Sequence, residues 1–247
     1  MKIAAISDIH GNLGALDAVL ADIERRQVDM IVNLGDILSG PLQPRETADR
    51  LMMLDLPTIR GNHERQVLAP DIPGMGASDR FAREAIGSRQ LDWLAALPAT
   101  LWVSSDVFLC HATPESDVDC FLENLRDGEL IPASLAEIEE RAQPCDAGLV
   151  FCGHTHIPRV ARLPGGQVIV NPGSVGIQAY EGHHPGPHRV EVGSPHARYA
   201  VVEQSKGGWI TELIACPYDW ESAAALAQRN SRPEWAYALR TGFVASS

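Results

Sequence analysis

Lys2-Ile3-Ala4-Ala5-Ile6-Ser7-Asp8-Ile9-His10 is the stretch that decides the fold. Its first half is a continuous apolar run, which reads as a strand buried on both faces. Its second half sets a carboxylate and an imidazole just past the strand's end. Working outward, residues 13–26 carry apolar side chains at 13, 16, 19, 20 and 23, a helical stripe. Residues 29–34 read as a second buried strand. Residues 45–54 read as a helix that Pro57 stops, and residues 58–60 as a short third strand. Strand–helix–strand–helix–strand predicts an α/β sheet with parallel pairing.

Beyond residue 69 the pattern shifts. Residues 69–77 are rich in Pro and Gly and read as a loop, and residues 78–97 as one helix with Phe81, Ala85, Leu91 and Leu94 inward. Three hairpins follow, 101–103 with 107–110, 159–163 with 168–170, and 198–203 with 209–214. A helix over 133–141 and a strand over 148–152 lie among them. An α/β half followed by a hairpin half predicts two sheets packed face to face with helices outside. Residues 182–196, which hold His183, His184, His188 and His196, read as a mobile, solvated loop or as a lid lending one His to substrate. From Pro217 the chain reads as two helices, 221–228 and 234–240. The expected organisation is a domain over 1–216 with a helical extension, 217–247, packed on it. Trp220, Trp235 and Tyr237 pack on that domain or form a self-association surface, which leaves a homo-oligomer open.

The 20 Lys+Arg against 32 Asp+Glu give a net charge of −12, which argues against anionic membranes and long nucleic acids as partners. A small phosphate-bearing substrate stays compatible, since bound cations reverse a local field. No apolar stretch approaches the ~20 residues of a bilayer span. The short apolar run after a single Lys is no signal peptide. The five cysteines include no C-x-x-C pair, and Cys110, Cys145 and Cys152 adjoin apolar runs. They read as reduced and buried, so the expected compartment is the cytoplasm.

Five polar clusters each follow a strand-like run: Asp8-Ile9-His10, Gly35-Asp36, Gly61-Asn62-His63-Glu64, His111, and Gly153-His154-Thr155-His156. Ligands of open α/β sheets bind at that edge. Asp8 and His10 stand one residue apart, as do His154 and His156, so each pair can turn toward a common centre. The glycines let the chain turn sharply and approach closely. Taken singly, each His reads as an ordinary core or surface residue. Taken together, Asp8, His10, Asp36, Asn62, His111, His154 and His156 give seven oxygen or nitrogen donors and no thiolate. Seven exceed one tetrahedral ion and suit two divalent ions, Mn²⁺ foremost and Fe, Zn, Ni or Co also. Two ions about 3.5–4 Å apart are a recurring device for attack at phosphorus. Asp36 is the natural bridge. Glu64 and Arg65 read as structural or rim residues, and Arg60 as a surface charge or a contact for a phosphate oxygen.

In this order the clusters resemble the motifs of the calcineurin-like metallophosphoesterases. Asn171-Pro172-Gly173-Ser174 is similar to a segment of the small bacterial phosphodiesterase branch. The resemblance implies a four-layer α/β/β/α sandwich of two mixed sheets flanked by helices. It implies that Asp8, His10 and His156 hold one ion, that Asn62, His111 and His154 hold the other, and that Asp36 bridges. It further implies hydrolysis of a phosphodiester by a hydroxide held between the metals, with His63 protonating the leaving alkoxide. Two departures stand out. Cys110-His111-Ala112 replaces the usual Gly-His-Gly, and residues 37–41 offer no carboxylate to orient His63. The alternatives are a phosphomonoesterase, a phosphoprotein phosphatase included, and a non-catalytic scaffold on the same fold.

Overall fold

The computed structural model describes residues 1–71 and 74–245. Strand β1 (Lys2–Ile6) lies between β2 (Met30–Asn33), which is parallel to it, and β12 (Ala197–Ser205), which is antiparallel. Adding β13 (Gly208–Cys216) gives one sheet in the order β13-β12-β1-β2. A second sheet runs β3 (Leu101–Ser104), β4 (Val107–Leu109), β7 (Leu149–Phe151), β9 (Val168–Asn171) and β8 (Arg159–Arg162).

The two sheets pack face to face because side chains alternate across a strand. Ile3 and Ala5 point inward and meet Leu109, Phe151 and Val170 of the other sheet. Ala4 and Ile6 point outward, into a core with Leu16 and Leu20 of helix α1 (Leu13–Arg25) and Leu51 of α2 (Pro44–Leu54). On the far side, Val150 and Ile169 pack against Ile138 and Ala142 of α6 (Leu135–Ala142). The layers are therefore α/β/β/α, as the resemblance implied.

Four expectations need correction. The helix expected over 78–97 is two, α4 (Ala77–Ala85) and α5 (Ser88–Ala96). Gly87 breaks it, and its N–H donates to Gln90 Oε1 at 3.0 Å, which caps the second helix. The third strand at 58–60 is a single bridge, Asn33 to Thr58, because α3 (Asn62–Val67) starts at once. The mobile loop over 182–196 instead carries β11 (His188–Glu191), paired with β10 (Ala179–Gly182). With β6 (Glu129–Pro132) and β5 (Glu123–Arg126) these form a third sheet, β10-β11-β6-β5, beyond the two expected. Val190 and His188 are buried while Arg189 and Glu191 are exposed, the alternation of a half-buried strand.

Helices α7 (Trp220–Arg229) and α8 (Pro233–Thr241) pack on each other and on Leu42, while Ala238 meets Ile177 and Ala179. The tail thus lies against two loops that also carry site residues. No helix among the described residues is long and apolar enough to cross a membrane. All five cysteines are free thiols.

Candidate metal centre

Each cluster sits where a strand gives way to a loop. Asp8 and His10 follow β1, Asp36 follows β2, His111 follows β4, and His154 and His156 follow β7. Asn62 opens α3. The turns are sharper than an extended chain gives. Asp8, His10, Asp36, His154 and His156 all have left-handed backbone, with φ of 54°, 50°, 53°, 68° and 59°. Each such residue costs about 1–3 kcal/mol unless its surroundings impose it. Backbone bonds do impose it here. Asp8 N–H donates to Gly35 O at 3.0 Å and His10 N–H to Asp36 O at 3.0 Å, which ties the first loop to the second.

Gly35 shares that backbone, with φ of 95°, but Gly153 has another task. Gly153 was expected to supply a tight turn, but its φ is not left-handed, unlike those of the two histidines that follow it. A Cβ there would strike Ser7 Oγ and lie 2.7 Å from Asp8 Oδ2. Its lack of a side chain lets the β7 loop close on the β1 loop.

Two groups of donors result: Asp8, His10 and His156 in one, Asp36, His111 and His154 in the other. Within each, the nearest ligand atoms lie within 4.8 Å of one another. His154 and His156 fall in different groups, so the loop spans both. Asn62 Oδ1 lies 3.1 Å from His111 Nε2 and 3.1 Å from His154 Nδ1.

The ring hydrogen bonds show what these groups fit. His10 Nδ1–H donates to Ser39 O at 2.6 Å, His156 Nδ1–H to Ile177 O at 2.9 Å, and His111 Nδ1–H to Leu34 O at 2.7 Å. In a neutral ring that leaves the lone pair on Nε2. The Nε2 atoms of His10 and His156 then face each other at 3.2 Å, with Asp8 Oδ1 3.3 Å from the latter. His111 Nε2 faces the Asn62 oxygen and, at 3.2 Å, Asp36 Oδ2. Among the described residues Asp8 Oδ1 is buried with no hydrogen-bond donor. Lone pairs converging with no proton between them are the arrangement a cation resolves, and backbone carbonyls behind ligating imidazoles are its usual support. The residues therefore fit divalent metal ions.

Electrostatics agree for two of the rings. Burial, with His156 and His63 nearby, pushes His10 down to about 4. Burial and His111 push His154 down to about 4. Burial opposes charge on His111 too, but Asp36 and Asp8 outweigh it and hold the ring at about 10, so without a cation this ring keeps on Nε2 the proton that a bound metal would displace. Burial works against ionisation of Asp36 and Asp8, yet the neighbouring histidines keep both carboxyls below their ordinary range.

His63 stands apart. Its Nδ1–H donates to Asp79 Oδ1 at 2.7 Å, and its Nε2 lies 4.0 Å from Asp36 Oδ2. Burial disfavours its charge, but Asp36 and the Asp79 bond raise it to about 9. The carboxylate missing from residues 37–41 is thus supplied by Asp79, in the first turn of α4. Sequence reasoning missed it, because an acid in a first helical turn looks like an ordinary dipole partner. Glu64 is buried and accepts backbone N–H groups from Asp36, Ile37 and Gly61.

The groups open into a cleft of about 410 Å³. Its walls include His63, Ser78, Tyr180, Arg232, Glu234 and Trp235. Arg60 is half-buried and is not among the residues of that wall. Arg232, which the sequence did not single out, is. Of the four loop histidines, His183 also reaches the wall.

The family model for the calcineurin-like phosphoesterase superfamily domain matches residues 1–192, and the chain belongs to that superfamily. A Methanocaldococcus jannaschii protein, itself uncharacterized, is 27% identical over 255 residues, covering 94% of each chain. A metallophosphoesterase of Sphaerobacter thermophilus is 25% identical, with a TM-score of 0.75 over 98% of this chain and 100% of its own. A Pyrococcus horikoshii protein shares the fold at 20% identity, with a TM-score of 0.76 over 99% of both chains.

Proposed function

We propose that this chain is a two-metal phosphodiesterase acting on a small substrate. The observation that carries the reading is the convergence of buried imidazole nitrogens and carboxylates, with the Nε2 atoms of His10 and His156 facing each other beside Asp8 Oδ1. In this reading Asp8, His10 and His156 would hold one divalent ion, Asn62, His111 and His154 would hold the other, and Asp36 would serve both. The donors are nitrogen and oxygen only, which suits Mn²⁺ first and Fe, Zn, Ni or Co as well. Such ions supply charge stabilisation at a phosphoryl group and acidify water.

The chain's own residues do the rest. His63, fixed through Nδ1 by Asp79, would in its protonated form present an Nε2 proton to the cleft. That proton passes to the leaving oxygen as the phosphorus–oxygen bond breaks. Asp79 fixes the ring and compensates its charge. The charge of the cleft supports a diester over a monoester. Arg232 is the one Lys or Arg among the described residues of its wall, and it is paired with Glu234 at 2.5 Å. A singly charged diester needs less added cation than a dianionic monoester. The catalytic domain is read as 1–216 with 217–247 as an extension packed on it. The free cysteines fit a reducing compartment, the cytoplasm.

The test is hydrolysis of bis-p-nitrophenyl phosphate against p-nitrophenyl phosphate, with Mn²⁺ and then the other ions. We expect faster turnover of the diester. Faster turnover of the monoester would overturn the diester reading, and no turnover with any ion would leave a non-catalytic scaffold.

A further inference from the structure

Helix α8 comes from the far end of the chain and adds a wall to the cleft that the metal ligands do not need. Trp235 lies with its ring centroid 6.1 Å from that of His10, and His63 is 5.3 Å from His10 on the same ring's other contacts. The tip of Trp235 rests close to Gly40, where a Cβ would lie 3.0 Å from it. Arg232 sits over the Trp235 ring at 5.8 Å and donates to Ser78 Oγ at 3.2 Å and, through Nε, to Glu234 at 2.5 Å. Ser78 adjoins Asp79, the partner of His63. The α8 wall is therefore on the side of the cleft from which His63 delivers its proton, the side of the leaving group.

The chemistry of that wall selects a ligand. Besides the metal groups and His63, the charged residues among the described ones of the cleft are Arg232, Glu234 and Glu181, one cation against two carboxylates. A leaving group bearing more phosphates meets no spare positive charge there. A flat, uncharged body can instead lie against the indole, since every nucleobase has a face that stacks on an aromatic ring. The guanidinium and carboxylate beside it offer donors and an acceptor to hydroxyl groups.

We propose that α8 forms a leaving-group subsite for an uncharged alcohol with a flat ring and hydroxyls, a nucleoside, with Trp235 and Arg232 setting specificity. The proposal rests on the phosphodiesterase reading above. It makes the favoured substrate a diester with one phosphate and a nucleoside leaving group.

The experiment compares a dinucleoside monophosphate, a dinucleoside tetraphosphate and bis-p-nitrophenyl phosphate on the Mn²⁺-loaded protein, the last as the check on phosphodiesterase activity itself. Calorimetric titration with adenosine supplies a readout free of turnover. The expected result is a higher kcat/KM for the dinucleoside monophosphate than for the tetraphosphate. Trp235→Ala should raise its KM about tenfold with a much smaller change in kcat, as loss of a stacking face would. Trp235→Phe, which keeps a flat face, should recover most of the loss, and adenosine binding should weaken in parallel. Preference for the tetraphosphate, or an unchanged KM in Trp235→Ala, would overturn the subsite. So would turnover of bis-p-nitrophenyl phosphate with none of the dinucleoside monophosphate, while leaving the phosphodiesterase reading standing.

Discussion

Glu64→Gln tests how the centre is held before any metal arrives. Glu64 Oε2 accepts the N–H of Asp36 at 2.8 Å and of Gly61 at 2.7 Å, and Oε1 accepts that of Ile37 at 2.8 Å. Glutamine has the same shape but one acceptor oxygen. Placed at the Oε2 position, that oxygen keeps two bonds and turns the amide NH₂ against the N–H of Ile37. One bond is lost and a buried donor is stranded, at about 1–3 kcal/mol. The two surviving bonds change from a charged to a neutral acceptor and weaken by about 1 kcal/mol each. The sum is about 3–5 kcal/mol, a large share of the about 5–15 kcal/mol that holds a domain folded. One effect opposes it. Burial and the nearby Asp36 push the Glu64 carboxyl up, so removing its charge relieves repulsion in the metal-free protein. The loss should therefore be smaller without metal than with it. Urea unfolding followed by circular dichroism, with and without Mn²⁺, measures both. A variant within about 0.5 kcal/mol of the parent in both conditions would refute the reasoning, since that is the range of an inert surface change.

Other substitutions probe other contacts. His63→Ala should leave the metal content unchanged while turnover of an alkyl diester falls about 10²–10⁴-fold, and loss of metal in that variant would make the ring a ligand instead. Gly61→Ala drives a Cβ onto Asp36 Oδ1 and to 2.7 Å from His111 Cε1, so elemental analysis should show about one ion fewer per chain; full metal content would count against that crowding. Asp22 carries a pH dependence. Burial works against its charge, but the Tyr199 hydroxyl and Arg26 outweigh burial and hold its carboxyl below 3.8. Its folded-state pKa is depressed, so its stabilising contribution is whole above 3.8 and is lost as pH falls through the folded value. Asp22→Asn should therefore be less stable than the parent at neutral pH and approach it in acid; a constant difference across pH would exclude the carboxylate as its source.

The donors of the centre were legible because each is local: a strand, then a polar residue at its end. Asp8, Asp36, His111 and His154 needed only that pattern. Asp79 was not, because its approach to His63 depends on how α4 packs against α3, and no periodicity records that packing. Trp235 and Arg232 were hidden for the same reason, on a helix whose own pattern says which face is buried but not which loop it covers. The third sheet was masked by composition. His188-Arg189-Val190-Glu191 alternates as a strand should, but Pro and Gly around it read as loop. Sharp turning was expected of the glycines, and Gly35 does carry left-handed backbone, but five of the ligands carry it too. Asp and His reach that region at a cost, which close backbone bonds between loops offset.

The pairing of β1 bears on how the molecule is made. Lys2 pairs with Glu203 and Ala5 with Ala200, so the first strand acquires its second neighbour from a segment some two hundred residues later. Contacts of that separation form slowly, since the closure entropy must be met before they repay it. Until then the β1 end, with Asp8 and His10, is bent by its bonds to the β2 loop but lacks a neighbour on its other side. The Ile177 carbonyl behind His156 belongs to a segment that Val175 and Gly176 tie to Ser7 and Asp8 and that Ser174 ties to Arg198 of β12. Completion of the centre is thus expected late in folding, after β12 has joined β1. Metal added during refolding should speed only the last steps and leave early collapse unchanged, because the early chain has no cage to offer it.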